Sequence, residues 1–453
     1  MMRYIMNIGL TLCVLLVSAC NKFLELKPDI KMAIPTTLED ADLLLNDYST
    51  LNGGYPIWGE IGSDDYYVTK DKWEAAASID QRNAYLWLDE PYTDVSQWQK
   101  PYKTIYMANQ VLDVLAKLNN NDKPAKYNRL MGGAHFFRAY ALLQLTEVHC
   151  PAYTAGDAGE QLGLPIRLSP DIDKPSHRAS LQDTYAQIVA DFKAATNNLP
   201  VLEGVKGRPV RASAYGALAR TYLNMSDYQQ AYRYADSCIL LSPALLDYNM
   251  LKISDALPIP KFNVEVLFPA TTVNLGILGA TSALMDSTLY DMYDVNDLRK
   301  GIFFKENTTM PNSYYFKGSY DKSSATLFTG ITTSEVYLIK AESACRIGQI
   351  DAALSALHTL LAARWKSDVP ISIKENNPDS LLRIILEERR KELLFRGRRW
   401  VDLKRLNLDS RFQKALEREI GDKTYKIEPN SPKYAFRLSE NVIKLGGYKQ
   451  NKR

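Results

Sequence analysis

Two carboxylates stand side by side at Asp64 and Asp65, in the segment GSDDYY (62–67). Paired carboxylates can act as a general acid and base, but a glycosidase needs them to face each other across the bond that is cleaved. Neighbours in sequence rarely satisfy that geometry. The pair also fits three other roles: capping of a helix, binding of a cation, and contact with a ligand.

Other signatures of catalysis or metal binding are missing from the sequence. Four histidines occur, at positions 135, 149, 177 and 358, and there is no HExxH, GxSxG or phosphate-binding glycine loop. Cys150, Cys238 and Cys345 are too widely spaced for a zinc site, and their apolar surroundings predict buried thiols, with one disulfide as the alternative. We therefore expect no enzyme, no cofactor and no metal; a hydrolase that uses scattered carboxylates is the weaker alternative.

Aromatic residues are concentrated between Tyr55 and Tyr102, where ten occur in 48 residues against 10 % in the whole chain. Flat rings can stack on the apolar faces of sugars or on peptide side chains, and irregular spacing places several of them in loops, where binding residues are common. Packing in the core is the alternative. The candidate ligand contacts in this region are Trp58, Asp64, Asp65, Tyr66, Tyr67, Trp73 and Trp87.

Two further features complete the aromatic pattern. Trp98, Tyr102 and Tyr106 recur at a helical spacing of four, which favours a core role for these three rings. The segment STLYDMYDVNDLRKGIFF (287–304) adds Tyr290 and Tyr293 as candidate ligand contacts. Its Arg299 is either a polar contact for a ligand or the ion-pair partner of Asp297.

Helical periodicity extends over much of the chain. It predicts helices within 36–48, 95–118, 127–149 and 181–200, the first opened by a capping box of Thr36 and Glu39. Two segments, 211–243 and 334–365, follow the tetratricopeptide pattern of small and large residues, and lie about 120 residues apart. The prediction is a mostly α fold, a tetratricopeptide-like scaffold of helix pairs with long loop insertions and a few short strands, rather than a continuous solenoid.

The N-terminus resembles a bacterial lipoprotein signal. A short apolar run is followed by Val17-Ser18-Ala19-Cys20, which is similar to a lipobox, and a polar stretch with two prolines comes next. This resemblance implies removal of residues 1–19, lipidation of Cys20 and anchoring in a membrane. The formal net charge of +3 carries no sign of a nucleic-acid partner.

The C-terminal segment gives the most specific resemblance. LLRIILEERRKELLFRGRRWVDLKRLN (381–407) resembles the R-G-x-R-W-x-D-L-x-R segment of the SusD/RagB family, through Arg396, Gly397, Arg399, Trp400, Asp402, Leu403 and Arg405. CNKFLELKP (20–28), GSDDYY (62–67), WQKPYKTIYMANQVL (98–112), AHFFRAYALLQL (134–145) and SEVYLIKAESACRIG (334–348) are similar to further family elements. FRLSENVIKLGG (436–447) departs from the family's I-P-x-x-E ending.

Several expectations about the chain follow from this resemblance. It implies one SusD-like domain over 20–453, with an N-terminal half over about 20–230 and a C-terminal half over about 260–453. The family's arginine-rich motif is architectural, which agrees with ion pairs inside a helix such as Glu387 with Lys391.

The resemblance also implies a function. It is that of an outer-membrane lipoprotein exposed at the cell surface, which binds oligosaccharides or other nutrient oligomers and delivers them to a SusC-like TonB-dependent transporter. Two alternatives stand beside this: a tetratricopeptide-type interaction scaffold without glycan binding, and capture of oligopeptides. A scaffold predicts that the aromatic rings of 55–102 are buried, whereas a binding protein predicts several exposed around one concavity.

Overall fold

The computed structural model describes residues 35–118, 123–371 and 373–453. The predicted signal sequence and the predicted lipid attachment at Cys20 lie outside the described residues. Within them the helices are α1 Leu38–Leu44, α2 Tyr48–Leu51, α3 Trp58–Gly62, α4 Lys70–Glu74, α5 Ile79–Tyr85, α6 Ser96–Lys117, α7 Pro124–His149, α8 Leu181–Asn198, α9 Arg211–Asn224, α10 Tyr228–Leu241, α11 Ser287–Asp291, α12 Arg299–Phe303, α13 Thr333–Arg346, α14 Ile350–Ala362, α15 Pro378–Glu392, α16 Arg399–Leu406 and α17 Glu440–Gly446.

The strands are short and pair two by two. They are β1 Tyr66–Tyr67, β2 Leu162–Pro165, β3 Arg178–Ser180, β4 Val266–Phe268, β5 Thr271–Asn274, β6 Leu284–Met285, β7 Phe304–Glu306, β8 Tyr314–Phe316, β9 Thr326–Phe328, β10 Ile331–Thr332, β11 Leu416–Ile420 and β12 Lys423–Ile427. Each pair is antiparallel: β1 with β6, β2 with β3, β4 with β10, β5 with β9, β7 with β8, and β11 with β12. The mostly α prediction with a few short strands is confirmed.

The longest helices pack side by side in one stack. In space the order is α6, α7, α8, α9, α10, α13 and α14, with α15 also against α13. The two predicted repeat units are α9–α10 and α13–α14, and α10 packs directly on α13 although residues 242–332 separate them in sequence. The stack is therefore continuous in space but interrupted in sequence, and the intervening segment is a long insertion of the predicted kind.

Helix boundaries follow local sequence chemistry closely. The capping box of α1 uses Thr37 and Asp40, one residue later than the predicted pair Thr36 and Glu39. Helix α6 begins at Ser96 and continues through Pro101. In α7, Gly132 allows close approach of the end of α8, because a Cβ there would lie 2.8 Å from the backbone nitrogen of Leu199.

The arginine-rich motif ties the segment around α16 to two helices of the stack, α7 and α13. Arg398 binds both carboxylate oxygens of Glu147 at 2.7 and 2.8 Å, and Arg405 binds both oxygens of Glu342 at 2.5 and 2.7 Å. All four side chains are buried, so each pair is charge-compensated inside the core. The architectural role that the resemblance implies for this motif agrees with these contacts.

One predicted ion pair in the preceding helix is wrong in its partner. Lys391 contacts Glu388 at 2.5 Å and Asp297 at 3.4 Å, whereas Glu387 was the expected partner. The reason is that Lys391 points toward the buried Arg299 network instead of the solvent face of α15. Arg299 itself pairs with Asp297 at 2.7 Å, as one of its two predicted roles requires.

The three described cysteines, Cys150, Cys238 and Cys345, are buried free thiols, so the disulfide alternative is excluded for them. Burial raises the pKa of the Cys150 and Cys238 thiols, which makes them poor nucleophiles. Within the described ranges, no helix combines the length and the apolar character that crossing a membrane requires.

Candidate functional site

The first aromatic segment, 55–102, pairs through β1 with the short strand that directly precedes the second segment, 287–304. Strand β1 pairs with β6, with Tyr66 opposite Met285 and Tyr67 opposite Leu284. The backbone N–H of Asp286 also donates to the carbonyl of Asp65 at 3.0 Å. Segments more than 200 positions apart therefore form one continuous region of the molecule.

Four of the predicted ligand contacts are buried in the aromatic core beneath this pairing. Trp58, Tyr66 and Trp87 are each 3 % exposed and Tyr293 is 1 % exposed. Three of them also donate their polar hydrogen to a backbone carbonyl: Tyr66 Oη to Ile61 at 2.8 Å, Trp87 Nε1 to Gly62 at 3.0 Å and Tyr293 Oη to Lys391 at 2.8 Å. Their assignment as ligand contacts is corrected to a packing role, because their faces touch other side chains instead of solvent.

Hydrogen bonds from arginines hold the adjacent carboxylates Asp64 and Asp65 within the fold. Asp64 receives two hydrogen bonds from Arg399, at 2.6 and 2.9 Å, and Asp65 receives one from Arg390 Nε at 2.9 Å. Burial alone would raise the pKa of Asp64, but Arg399 and Arg390 lower it well below its usual range. The two residues therefore do not cap a helix, and guanidinium groups take the place that a bound cation would occupy, while contact of this pair with a ligand stays a prediction.

Tyr67, Trp73 and Tyr290 keep accessible surface. Tyr67 is 40 % exposed, and Trp73 and Tyr290 are partly exposed. Tyr290 stacks on Tyr314 with ring centroids 3.7 Å apart and an angle of 11° between the planes, and Lys300 Nζ lies 4.5 Å from the Tyr290 ring centroid. We call Tyr67, Tyr290 and Tyr314 the aromatic patch. Stacked and fixed rings of this kind offer a preformed apolar surface.

A cleft of about 230 Å³ lies beside the aromatic patch. Ala283 lines the cleft while its neighbour Leu284 pairs with Tyr67, and Tyr315 lines it while Tyr314 carries the stacked ring. The apolar part of the wall comes from Leu275, Leu278, Phe316, Leu327 and Phe395. The cleft and the aromatic patch therefore share strand β8, and Ala283 of the cleft directly precedes β6.

The sequence pointed to only part of this cleft. NSYYFKGSYD (312–321) reads as a strand and turn, which β8 bears out, but nothing in its pattern marks Tyr315, Phe316 and Lys317 as a cleft wall. Phe395 enters from the motif segment almost 80 positions further on. Its ring packs edge-on against Phe316 at 5.2 Å and Tyr66 at 5.8 Å, so the buried aromatic core forms the back of the cleft.

The third member of the predicted helical triplet is more exposed than expected. Tyr106 is 39 % exposed on α6, while Trp98 is buried and Tyr102 donates to the carbonyl of Pro165 at 2.8 Å. The core role predicted for Tyr106 is therefore wrong. Because 3.6 residues make a turn, a strict spacing of four drifts around the helix and carries the third ring off the buried face.

Comparison with models of known protein families identifies the family of this chain. A family model described as "Starch-binding associating with outer membrane" matches residues 22–223, and a model described as "SusD family" matches residues 260–442. The chain belongs to the SusD/RagB family. The two matched regions meet at the β1–β6 pairing, so the candidate site of this SusD-type protein is built from both.

Two relatives from Formosa agariphila show the same affiliation along the chain. The SusD-like protein P38 is 24 % identical over 488 residues, covering 90 % of this chain and 92 % of the relative. The SusD-like protein P2 is 24 % identical over 369 residues, covering 69 % and 71 %.

Solved structures agree on the fold. A SusD superfamily protein from Bacteroides thetaiotaomicron superposes with a TM-score of 0.75 at 24 % identity, covering 92 % of this chain and 100 % of its own. A SusD-like carbohydrate binding protein from Bacteroides vulgatus superposes with a TM-score of 0.66 at 18 % identity, covering 91 % and 97 %. At these identities the likeness concerns the fold alone.

Proposed function

We propose that this SusD-type protein binds oligosaccharides at the cell surface and passes them to a SusC-like TonB-dependent transporter. Lipidated Cys20 would hold it in the outer membrane. The observation that carries the proposal is an apolar-walled cleft whose residues Ala283 and Tyr315 directly adjoin Leu284, the strand partner of Tyr67, and Tyr314, which stacks on Tyr290. Sugar rings present flat C–H faces to such rings and hydroxyls to the polar groups around them.

The size of the cleft fits the end of a chain. Its volume of about 230 Å³ is below the ~300–1,000 Å³ of typical enclosed ligand pockets. A terminal unit would enter the cleft, and the following units would lie across Tyr67 and Tyr290. Names among the relatives support a carbohydrate: the Bacteroides vulgatus structure is called a carbohydrate binding protein, and the N-terminal family description refers to starch.

Binding without chemistry agrees with the residues of the cleft. Among the residues that the structure describes, the lining includes no Asp, Glu, His or Cys, whereas hydrolysis of a glycosidic bond needs two facing carboxylates. The nearby pair Asp64 and Asp65 is engaged by arginines. These features support capture and release of an intact ligand.

The rival hypothesis is an interaction scaffold that binds no glycan, and capture of oligopeptides is the other alternative. Burial of Trp58, Tyr66, Trp87 and Tyr293 is the outcome that a scaffold predicts. The proposal therefore rests on the exposed rings and the cleft, and these residues are the ones to test.

A glycan and peptide array probed with the lipid-free chain from Asn21 tests the proposal. We expect one glycan class to bind, and Tyr67→Ala or Tyr290→Ala to weaken that binding while the circular dichroism spectrum is unchanged. Tyr106→Ala is the matched control, because Tyr106 is as exposed as Tyr67 (39 % against 40 %) but lies on α6. Binding of peptides only, or of nothing, would overturn the proposal in favour of one of the two alternatives.

Delivery to a transporter needs its own test. Affinity purification of the full-length lipoprotein from its native membrane should retain a TonB-dependent transporter. A Cys20→Ala variant should lose the outer-membrane location and with it the transporter. If neither the wild-type lipoprotein nor the transporter is found in the outer membrane, this part of the proposal is contradicted.

A further inference from the structure

The cleft beside the aromatic patch carries charge of one sign. Two of its lining residues, Lys305 and Lys317, are cationic, and within the described part of the chain no carboxylate belongs to its lining. The charge of the whole protein is nearly balanced, with 55 basic and 52 acidic residues. The positive charge of the cleft is therefore a local feature. A concave surface of one charge sign concentrates field and attracts ligands of the opposite sign.

Lys317 is held in place without a carboxylate partner. It is only 8 % exposed, and its Nζ donates to the backbone carbonyls of Ile253 and Asp255. Among the described residues, no carboxylate oxygen lies within 4.0 Å of its Nζ or of the Nζ of Lys305. Burial lowers the pKa of Lys317, the positive charge of Lys305 lowers it further, and the charge of Asp255 opposes both effects. Both lysines line the same cleft.

The acidic side chains near the cleft are placed elsewhere. Asp255 lies 3.9 Å from Lys252, and Asp321 is paired with Lys261 at 3.0 Å. Glu306 stands opposite Tyr314, one position beyond the lysine on β7. None of these three carboxylates lines the cleft, so its positive charge is available to a ligand.

Neutral polar groups complete the lining. Ser319, Ser323, Ser324 and Thr326 add hydroxyl-bearing side chains to the lining. A sugar with an acidic substituent would find all three kinds of group that it needs: rings and aliphatic side chains for its C–H faces, hydroxyls for its own hydroxyls, and ammonium groups for its anion.

We propose, on the basis of the function proposed above, that the cleft selects anionic oligosaccharides, with the carboxylate or sulfate group of a terminal acidic sugar placed between Lys305 and Lys317. Lys305 is exposed on β7 and meets the ligand first. Lys317, anchored by two carbonyls, is already oriented before the ligand arrives. An anion there is attracted by both lysines of the lining, whereas a neutral sugar is not.

Isothermal titration calorimetry on the mature lipoprotein in detergent tests this selection with three probes of equal length. These are a neutral oligosaccharide, its uronate counterpart and its sulfated counterpart. We expect the better acidic probe to bind about tenfold or more tightly than the neutral one at about 0.05 M salt, and the gap to narrow at about 0.5 M salt. The uronate and sulfate arms identify which anion the cleft takes.

Lys305→Gln should weaken the acidic probe roughly tenfold and leave the neutral probe unchanged. Because Lys305 is exposed, the variant keeps the fold. Lys444→Gln is the control, since it removes the same charge from exposed helix α17, outside the cleft lining.

The outcomes separate this inference from the function on which it rests. Equal or tighter binding of the neutral probe overturns anion selection and leaves oligosaccharide capture standing. Selection that survives Lys305→Gln, or that Lys444→Gln removes equally, overturns the assignment to this cleft. Failure of all three probes, together with a silent glycan array, overturns both proposals.

Discussion

Arg399 forms a two-pronged ion pair with Asp64, Nε to Oδ1 at 2.6 Å and Nη2 to Oδ2 at 2.9 Å, although the two residues are 335 positions apart. Each belongs to a motif that stands out in the sequence, the first to RGRRW and the second to GSDDYY. The pair fastens the segment before β1 to α16. It therefore fixes one side of the region where β1 pairs with β6.

Removal of this contact should destabilise the protein. Arg399→Met leaves Asp64 largely buried with Arg390 and Lys414 as its remaining cations. We expect the free energy of unfolding to fall by about 2–3 kcal/mol, because two charge-assisted hydrogen bonds are lost. Urea denaturation followed by circular dichroism measures the change.

The control for this variant is Arg411→Met. Arg411 also pairs with two carboxylates, Asp379 and Asp409, but its side chain is 41 % exposed. Exposed pairs contribute about 0–1 kcal/mol, so the control should change stability little. Equal losses in the two variants would show that burial of the Asp64 pair carries no special weight.

A buried carboxyl under the same motif should make stability depend on pH. Burial, and then the neighbouring Asp65, raise the pKa of Glu60 to about 8, although the N–H of Gly397 donates to it at 2.7 Å. Glu60 is thus neutral in the folded protein and ionised in the unfolded chain between its ordinary pKa of 4.5 and about 8. Its contribution is complete below pH 4.5 and is lost as the pH rises toward 8.

Glu60→Gln should remove this dependence, because the amide stays neutral and still accepts from Gly397. The stability of the wild type relative to the variant should fall from about pH 5 to about pH 8, by at most about 1.4 kcal/mol per pH unit. Burial lowers the pKa of His149 to about 3, so this residue also contributes to the pH dependence of stability. Its contribution is the same in both proteins and drops out of the difference between them. Urea midpoints at four pH values test this, and parallel pH profiles would contradict it.

The helical framework was readable from the sequence because its signals are local. Periodicity, capping residues and small-to-large packing lie within one or two turns, so α8, α9, α10 and α13 appear close to their predicted positions. The direct contact of α10 with α13 is not local. It depends on how residues 242–332 leave and re-enter the stack, which periodicity does not encode.

The candidate site was only partly readable for the same reason. Composition marked 55–102 and 287–304 as aromatic, but did not separate rings that pack from rings that face solvent. That distinction depends on β1 pairing with β6, which buries Tyr66 and leaves its neighbour Tyr67 exposed. The lysines of the cleft carried no sequence signal at all, because their importance lies in the absence of carboxylates from the surrounding wall.

Substitution of two tryptophans should separate packing from binding. Trp58→Ala should lower the free energy of unfolding by about 3–5 kcal/mol, because the ring is buried against Tyr92 at a centroid distance of 5.4 Å. Trp73→Ala should cost less than half of that, since its ring is partly exposed on α4 and its Nε1 bonds only the carbonyl of Arg82. Denaturation of both variants gives the comparison, and a similar cost would show that Trp73 is also a core residue.

Gly397 should resist substitution for two separable reasons. Its φ of +69° lies in the left-handed region, where a side chain is strained, and a Cβ there would lie 2.9 Å from Thr329 Oγ1. Gly348 has a similar φ of +79° but open space around its Cβ position. Gly348→Ala should therefore cost only the conformational part, about 1 kcal/mol. Gly397→Ala should cost more in urea denaturation, because Thr329 must also move and the N–H bond to Glu60 is disturbed. Equal losses of stability would show that Thr329 moves aside without cost. Backbone conformation alone would then account for the requirement for glycine at position 397.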